Sequence, residues 1–240
     1  MHWELFRAWT KPYFQTNLRP VMKIKNIIFD FGGVLVDWNP RYLFKDLFND
    51  DEKMESFLKN ICTEPWNIEQ DAGRTLAEGT RILQEKFPEE RKMIQQFYDG
   101  WEVMLKDEIS ENTKILSQFD RKKYRLFGLT NWSGETFPIA LERFGVFKEF
   151  EGIVVSGDEK MIKPNKEIYL LLLERYNLKA EESIFIDDNY KNIIAANNLG
   201  FQTIHFTEDV HLEHRLQELG LLDWMRWMRL DVRPIVSEFR

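Results

Sequence analysis

From Ile24 onward, short runs of apolar residues alternate with longer stretches in which apolar positions recur three or four residues apart. The apolar runs end at Asp30, at Thr130 in YRLFGLT, at Ser156 in GIVVS, at Asp187 in SIFID and at Phe206 in FQTIHF. Runs this short and this apolar predict strands buried on both faces. Between them, Phe137, Ala140, Leu141 and Phe144 share one helical face, Ile168, Leu171 and Leu172 another, and Ile193, Ala196 and Leu199 a third that stops at Gly200. Strand and helix in alternation predict an α/β fold, a Rossmann-like doubly wound parallel sheet with helices on both sides.

One region breaks the alternation. From Pro40 to about residue 118 no strand pattern is evident, and amphipathic stripes follow one another: Met54, Phe57, Leu58 and Ile61, then Met93, Phe97, Trp101, Met104 and Leu105. Asn39-Pro40 reads as a helix cap with proline at the first position, and Thr75 to Glu78 has capping-box spacing. The expected layout is an N-terminal extension over 1–21, an α/β core over 22–39 and 119–240, and an inserted helical bundle over 40–118. In the extension, Trp3, Phe6 and Trp9 read either as a short aromatic arm cut off by Pro12 or as plain tail. After residue 208, Leu212, Leu216, Leu219 and Leu222 mark a helix packed on the core, followed by Trp224 and Trp227.

Charge and composition narrow the function. Lys and Arg number 33 against 40 Asp and Glu, a net charge of -7, so nothing draws the chain to nucleic acid or to an anionic membrane, and any phosphate must be gripped locally. No apolar run approaches the roughly 20 residues of a membrane helix, and the amino terminus lacks the apolar stretch of a secretory signal. Cys62 is the single cysteine, which excludes an internal disulfide and fits a reducing cytoplasm. A monomer and a homodimer are both compatible with the Trp-rich tail.

In open α/β sheets ligands bind beyond the carboxyl ends of the strands. Those ends here carry Asp30, Thr130-Asn131, Lys163 in SGDEKMIKP, and Asp187-Asp188. Singly, each is an ordinary turn residue. Together, three carboxylates repel one another unless a cation lies among them, and all-oxygen donors suit Mg²⁺. A carboxylate, a hard cation, a lysine and a hydroxyl meet the needs of phosphoryl transfer, and a carboxylate can itself be the nucleophile.

The ordered segments DFGGVLVDWNP, LTNWSGETFP, KPNKEIY and FIDDNYKNI resemble the four motifs of the haloacid dehalogenase superfamily, over about Ile24 to Phe206. They are most similar to the branch of the soluble epoxide hydrolase amino-terminal phosphatase domain and of a bacterial glucose-1-phosphate phosphatase. The helical insert looks like that family's cap. The resemblance implies a Mg²⁺-dependent phosphatase acting on a small phosphorylated metabolite such as a sugar phosphate, with Asp30 attacking phosphorus. It implies Mg²⁺ held by Asp30, the Gly32 carbonyl and Asp188, supported by Asp187 and Asn192. Thr130 and amides near Asn131 would grip phosphoryl oxygens, unless Asn131 is structural, and Lys163 would neutralise charge.

The chain departs from the family at Gly32, where most phosphatases carry a second aspartate that protonates the leaving group. The enzyme is then expected to favour acidic leaving groups, unless Asp37 or a cap residue donates the proton; Asp37 also reads as a turn former ahead of Asn39-Pro40. Trp66, Asp71 and Arg74 are candidates for reaching from the cap over the substrate, or are ordinary loop residues, and Trp38 and Trp132 line the pocket or simply pack. The histidines show no metal-ligand spacing. The alternatives are a metal-independent dehalogenase, against which the Asp187-Asp188 pair stands, a phosphorylated receiver, in which the acidic pair comes first in sequence, and a non-catalytic binding protein with this fold.

Overall fold

The computed structural model describes residues 23–223; the extension over 1–21, with Trp3, Phe6 and Trp9, and the terminal Trp224 and Trp227 lie outside them. Seven strands run in chain order: β1 (Asn26–Phe29), β2 (Val36–Trp38), β3 (Leu105–Glu108), β4 (Arg125–Thr130), β5 (Gly152–Val155), β6 (Ser183–Asp187) and β7 (Gln202–His205). Five form one sheet in the order β5-β4-β1-β6-β7, and each neighbouring pair is parallel. The expected α/β sheet is therefore present, with β1 central.

Parallel strands joined by helical crossovers must be covered on both faces, and the side chains alternate accordingly. Ile27, Phe29, Leu126, Ile184 and Ile186 pack into one core cluster, and Ile28, Phe127, Leu129 and Phe185 into the other. The first cluster continues into the cap through Phe44, Phe57, Leu83 and Phe97. At Gly128 the Phe31 ring occupies the space a Cβ would need, so β4 passes close under the turn that follows β1. Of the predicted helical faces, Phe137, Ala140 and Phe144 are buried, as are Ile168, Leu172, Ile193 and Ala196, while Leu141 is exposed.

The insert contains the helices Arg41–Leu47, Asp51–Asn60, Glu64–Asp71, Leu76–Lys86, Arg91–Asp99 and Trp101–Met104. Thr75 caps its helix as the sequence predicts, Oγ1 accepting from the Glu78 amide at 3.2 Å, whereas at the first helix Pro40 holds the cap position and Asn39 Oδ1, one residue earlier, accepts from the Arg41 amide at 3.0 Å. The expectation of no strand between 40 and 118 is corrected at β3. This strand pairs antiparallel with β2, so the outgoing and returning chains run side by side as a two-stranded stalk. Its segment LKDE has no clean alternation, and its pairing is supplied by a partner distant in sequence. Beyond the stalk the helix Ser110–Leu116 lies against the core: Asn112 Nδ2 donates to the Val34 carbonyl at 2.7 Å. Among the described residues no helix is long and apolar enough to cross a membrane.

Candidate active site

β1 and β6 are adjacent, so their carboxyl ends bring Asp30 beside Asp187 and Asp188. The Asp30 amide donates to the Ile186 carbonyl at 2.8 Å, fixing the strand end at that point. One carboxylate oxygen from each of Asp30, Asp187 and Asp188 lies within 4.8 Å of the others. Asp187 is fully buried and fully engaged: Oδ1 accepts from the Asn189 amide at 2.8 Å, Asn192 Nδ2 donates to both oxygens at 3.0 and 3.1 Å, and Lys163 Nζ donates to Oδ2 at 2.7 Å. Asp188 is exposed, leaving its carboxylate available to a cation.

Lys163 enters from the loop after β5. Its side chain is wholly buried, with Nζ 2.9 Å from Asp30 Oδ2 and donating to the Leu129 carbonyl at 2.9 Å. Burial alone would lower the ammonium pKa; the charges of Asp187 and Asp30 reverse this and hold it above the usual lysine range. Burial, reinforced by Asp187 and Asp188 and opposed by Lys163, pushes Asp30 up to about 8. Burial and the Asp187 charge likewise raise Asp188. One lysine is too little charge for three close carboxylates, and the remaining donors are hard oxygens, so the residues present fit Mg²⁺.

Thr130 ends β4, is 1% exposed, and its Oγ1 has no hydrogen-bond partner among the described residues. A buried hydroxyl without a partner is costly unless a ligand supplies one. Asn131, expected either to grip phosphate or to be structural, clasps the Lys163 backbone: Nδ2 donates to its carbonyl at 3.0 Å, and Oδ1 accepts from its amide at 2.9 Å.

These strand ends open into a cavity of about 290 Å³ that includes Asp30, Gly32, Asn131 and Asp188 on the core side and Asn67 and Asp71 on the cap side, with Trp38, Trp101 and Trp132 around it. Asp71 therefore faces the site, but Trp66 and Arg74 do not. Trp66 turns into the cap, where Nε1 donates to the Gly79 carbonyl at 3.0 Å and the indole packs edge-on against Phe97. Arg74 Nε donates to Gln70 Oε1 at 2.6 Å, and an Nη to the Trp66 carbonyl at 3.2 Å. The helix Glu64–Asp71 buries Trp66, Asn67, Gln70 and Asp71, and Arg74 folds back onto it through the Gln70 side chain and the Trp66 carbonyl. Asp37 lies in β2, and its carboxylate accepts from the Tyr42 hydroxyl at 2.8 Å, which ties the strand to the helix that follows.

The sequence reading missed Trp101, whose place in an apolar stripe suited plain packing, and His205, whose Nε2 lies 2.9 Å from the Asp188 carbonyl. No spacing rule signals either, because both meet the site only through tertiary contacts.

The model of the family described as haloacid dehalogenase-like hydrolase matches residues 27–206. Sesquiterpene phosphatase astK of Aspergillus oryzae is 28% identical over 202 residues, 81% of this chain and 96% of its own length. The phosphorylated carbohydrates phosphatase of Thermotoga maritima is 26% identical over 182 residues, 75% of this chain and 82% of its own. The solved structure of an enzyme of the same family from Bacteroides thetaiotaomicron, BT-2542, in complex with magnesium and inorganic phosphate, aligns with a TM-score of 0.62 at 26% identity, over 80% of this chain and 98% of that one. The matched span holds all four strand ends that bear the site, and the chain belongs to the family of haloacid dehalogenase-like hydrolases.

Proposed function

We propose that this chain is a Mg²⁺-dependent phosphatase that hydrolyses a small phosphate monoester through an aspartyl-phosphate on Asp30. The observation that carries this reading is the buried contact between Lys163 and Asp30 beside two further carboxylates and the unpartnered Thr130 hydroxyl. Phosphatases among its relatives, and the magnesium and phosphate bound to BT-2542, support it.

In this reading Asp30, the Gly32 carbonyl and Asp188 hold Mg²⁺, with Asp187 oriented by Asn192 and Lys163 behind them. When bound there, Mg²⁺ would neutralise phosphate charge and favour the ionised form of the Asp30 carboxylate. An Asp30 oxygen attacks phosphorus and the ester oxygen leaves. Thr130 Oγ and loop amides donate to the equatorial oxygens, and the Lys163 ammonium offsets charge on the nucleophile. Water then attacks the acyl phosphate and restores Asp30. Three indoles, Trp38, Trp101 and Trp132, flank the leaving-group space, and no lysine or arginine lines the cavity among the described residues. That wall suits a single phosphate on a ring-bearing group such as a sugar better than a diphosphate.

The experiment is phosphate release from a panel of monoesters with Mg²⁺ and with a chelator. Release that survives chelation would favour metal-free chemistry and count against this reading.

A further inference from the structure

We propose that Asp71, carried in from the cap, donates the proton to the leaving-group oxygen, the task for which Gly32 has no side chain; the assignment rests on the phosphatase reading above. Four carboxylates line the cavity: Asp30, Asp188, Glu64 and Asp71. Asp30 is the nucleophile, Asp188 is committed to the cation, and Glu64 is exposed in the first turn of its helix. Of the two carboxylates on the cap side, where the leaving group must lie once phosphorus faces Asp30, Asp71 is the buried one, at 8% exposure. Asp37, the other carboxyl near the nucleophile, is absent from the cavity wall.

The carboxyl is held in place across the cap and core boundary. The backbone of Ser133, in the loop that follows β4, donates to it, and Asn67 Nδ2 donates to Oδ2 at 3.4 Å. The Asp71 carbonyl accepts from Ser156 Oγ at 2.6 Å, and Ser156 Oγ also accepts from the Trp132 amide at 2.9 Å. Just beyond, Gly73 sits at a φ of 95°, with Lys160 and the Gly157 carbonyl where a Cβ would go. The acid is therefore presented when the cap is seated on the core.

Burial pushes the Asp71 carboxyl up to about 7, against the Ser133 hydrogen bond, which suits an acid that must give and regain a proton near neutrality. The charged and titratable groups around it are Arg74 on its own segment, turned away onto Gln70, Tyr98 from the helix Arg91–Asp99, Glu64 at the start of its helix, and Asp30 and Asp188 across the cavity.

The steps balance. Asp30 Oδ forms a bond to phosphorus as the bond from phosphorus to the ester oxygen breaks, and that oxygen takes the Asp71 proton to leave as an alcohol. Asp71, now a carboxylate, removes a proton from the water that attacks the acyl phosphate. Inorganic phosphate departs, and both carboxyl groups return to their starting states.

The test compares wild type and Asp71→Asn on a graded series from p-nitrophenyl phosphate to primary alkyl phosphates at saturating Mg²⁺. General acid catalysis is worth about 10²-fold to 10⁴-fold, so the variant should lose on that order in kcat on alkyl esters and less than about tenfold on p-nitrophenyl phosphate. An equal loss across the series would overturn the assignment and leave Asp71 as a latch between cap and core. Should the variant fail to fold, wild type decides: a fall in kcat as pH rises through neutrality on alkyl esters alone supports the assignment, and the same profile on both ester types overturns it. Wild type inactive on every ester would overturn the phosphatase reading itself and this inference with it.

Discussion

Asn131 grips the backbone of Lys163 from both sides, accepting from its amide at 2.9 Å and donating to its carbonyl at 3.0 Å. The side chain of Lys163 cannot find Asp30 and Asp187 from a surface loop unless that loop is pinned, and Asn131 pins it from the end of the neighbouring strand.

Replacing Asn131 with Ala removes two hydrogen bonds, each worth about 1 kcal/mol net. The expected result is a loss in kcat with a smaller change in KM, because the residue orients Lys163 and the substrate's other contacts remain. Steady-state kinetics would check this; a change confined to KM would assign Asn131 to substrate binding instead.

Removing Lys163 should cost more. Lys163→Met leaves Asp187 buried without its charge partner, and breaking a buried pair in this way costs about 3 to 5 kcal/mol. The variant should be inactive, with a melting temperature well below wild type and partly restored by Mg²⁺. A melting curve unchanged in the absence of metal would contradict the electrostatic account of the site.

The pH dependence of stability should be weaker with metal than without it. Asp30 and Asp71 are raised from an ordinary carboxylate value of 3.8 to about 8 and about 7. Raised folded pKa values contribute stability that is full below the unfolded value and is lost as pH rises through the folded one. Metal-free protein should therefore lose melting temperature between about pH 4 and pH 8 from these groups, and Mg²⁺ should recover most at the upper end, where the carboxylates are ionised. Thermal melts across that range, with chelator and with Mg²⁺, would check it; equal gains at all pH values would show that the cation does not compete with protons here.

The two glycines after the nucleophile should answer alanine differently. A Cβ at Gly32 meets nothing within 4 Å, so Gly32→Ala should fold with a melting temperature close to wild type. Gly33 has a φ of 73°, and its Cβ would fall on the Asp188 carboxylate. Gly33→Ala should weaken Mg²⁺ binding at least tenfold by titration calorimetry. Equal Mg²⁺ affinities in the two variants would show that the Asp188 position does not matter to the cation.

What the sequence made legible was the set of residues at the strand ends. Asp30, Thr130, Asp187 and Asp188 end or directly follow apolar runs, and in a parallel sheet a polar residue there faces the ligand crevice, while Lys163 follows the SGDEKMI stretch beyond β5. The cap was legible as helices, and its wall of the site only in part. Trp66, Asp71 and Arg74 sit within one short segment, yet Trp66 and Arg74 turn into the cap while Asp71 turns out to the cavity. On a helix that choice depends on what packs against each face, here Phe97, Tyr98 and Gly79, all remote in sequence. The strand β3 stayed hidden for the same reason, since its partner Val36–Trp38 precedes the whole insert.

In the proposed reaction Asp30 carries the phosphoryl group covalently. Intact-mass spectrometry of rapidly quenched wild type during turnover of p-nitrophenyl phosphate should show one added phosphoryl group, mapped to the peptide containing Asp30 and absent in Asp30→Asn, which should release no phosphate. Turnover by Asp30→Asn near the wild-type rate, or a phosphoryl group on any other residue, would contradict the account.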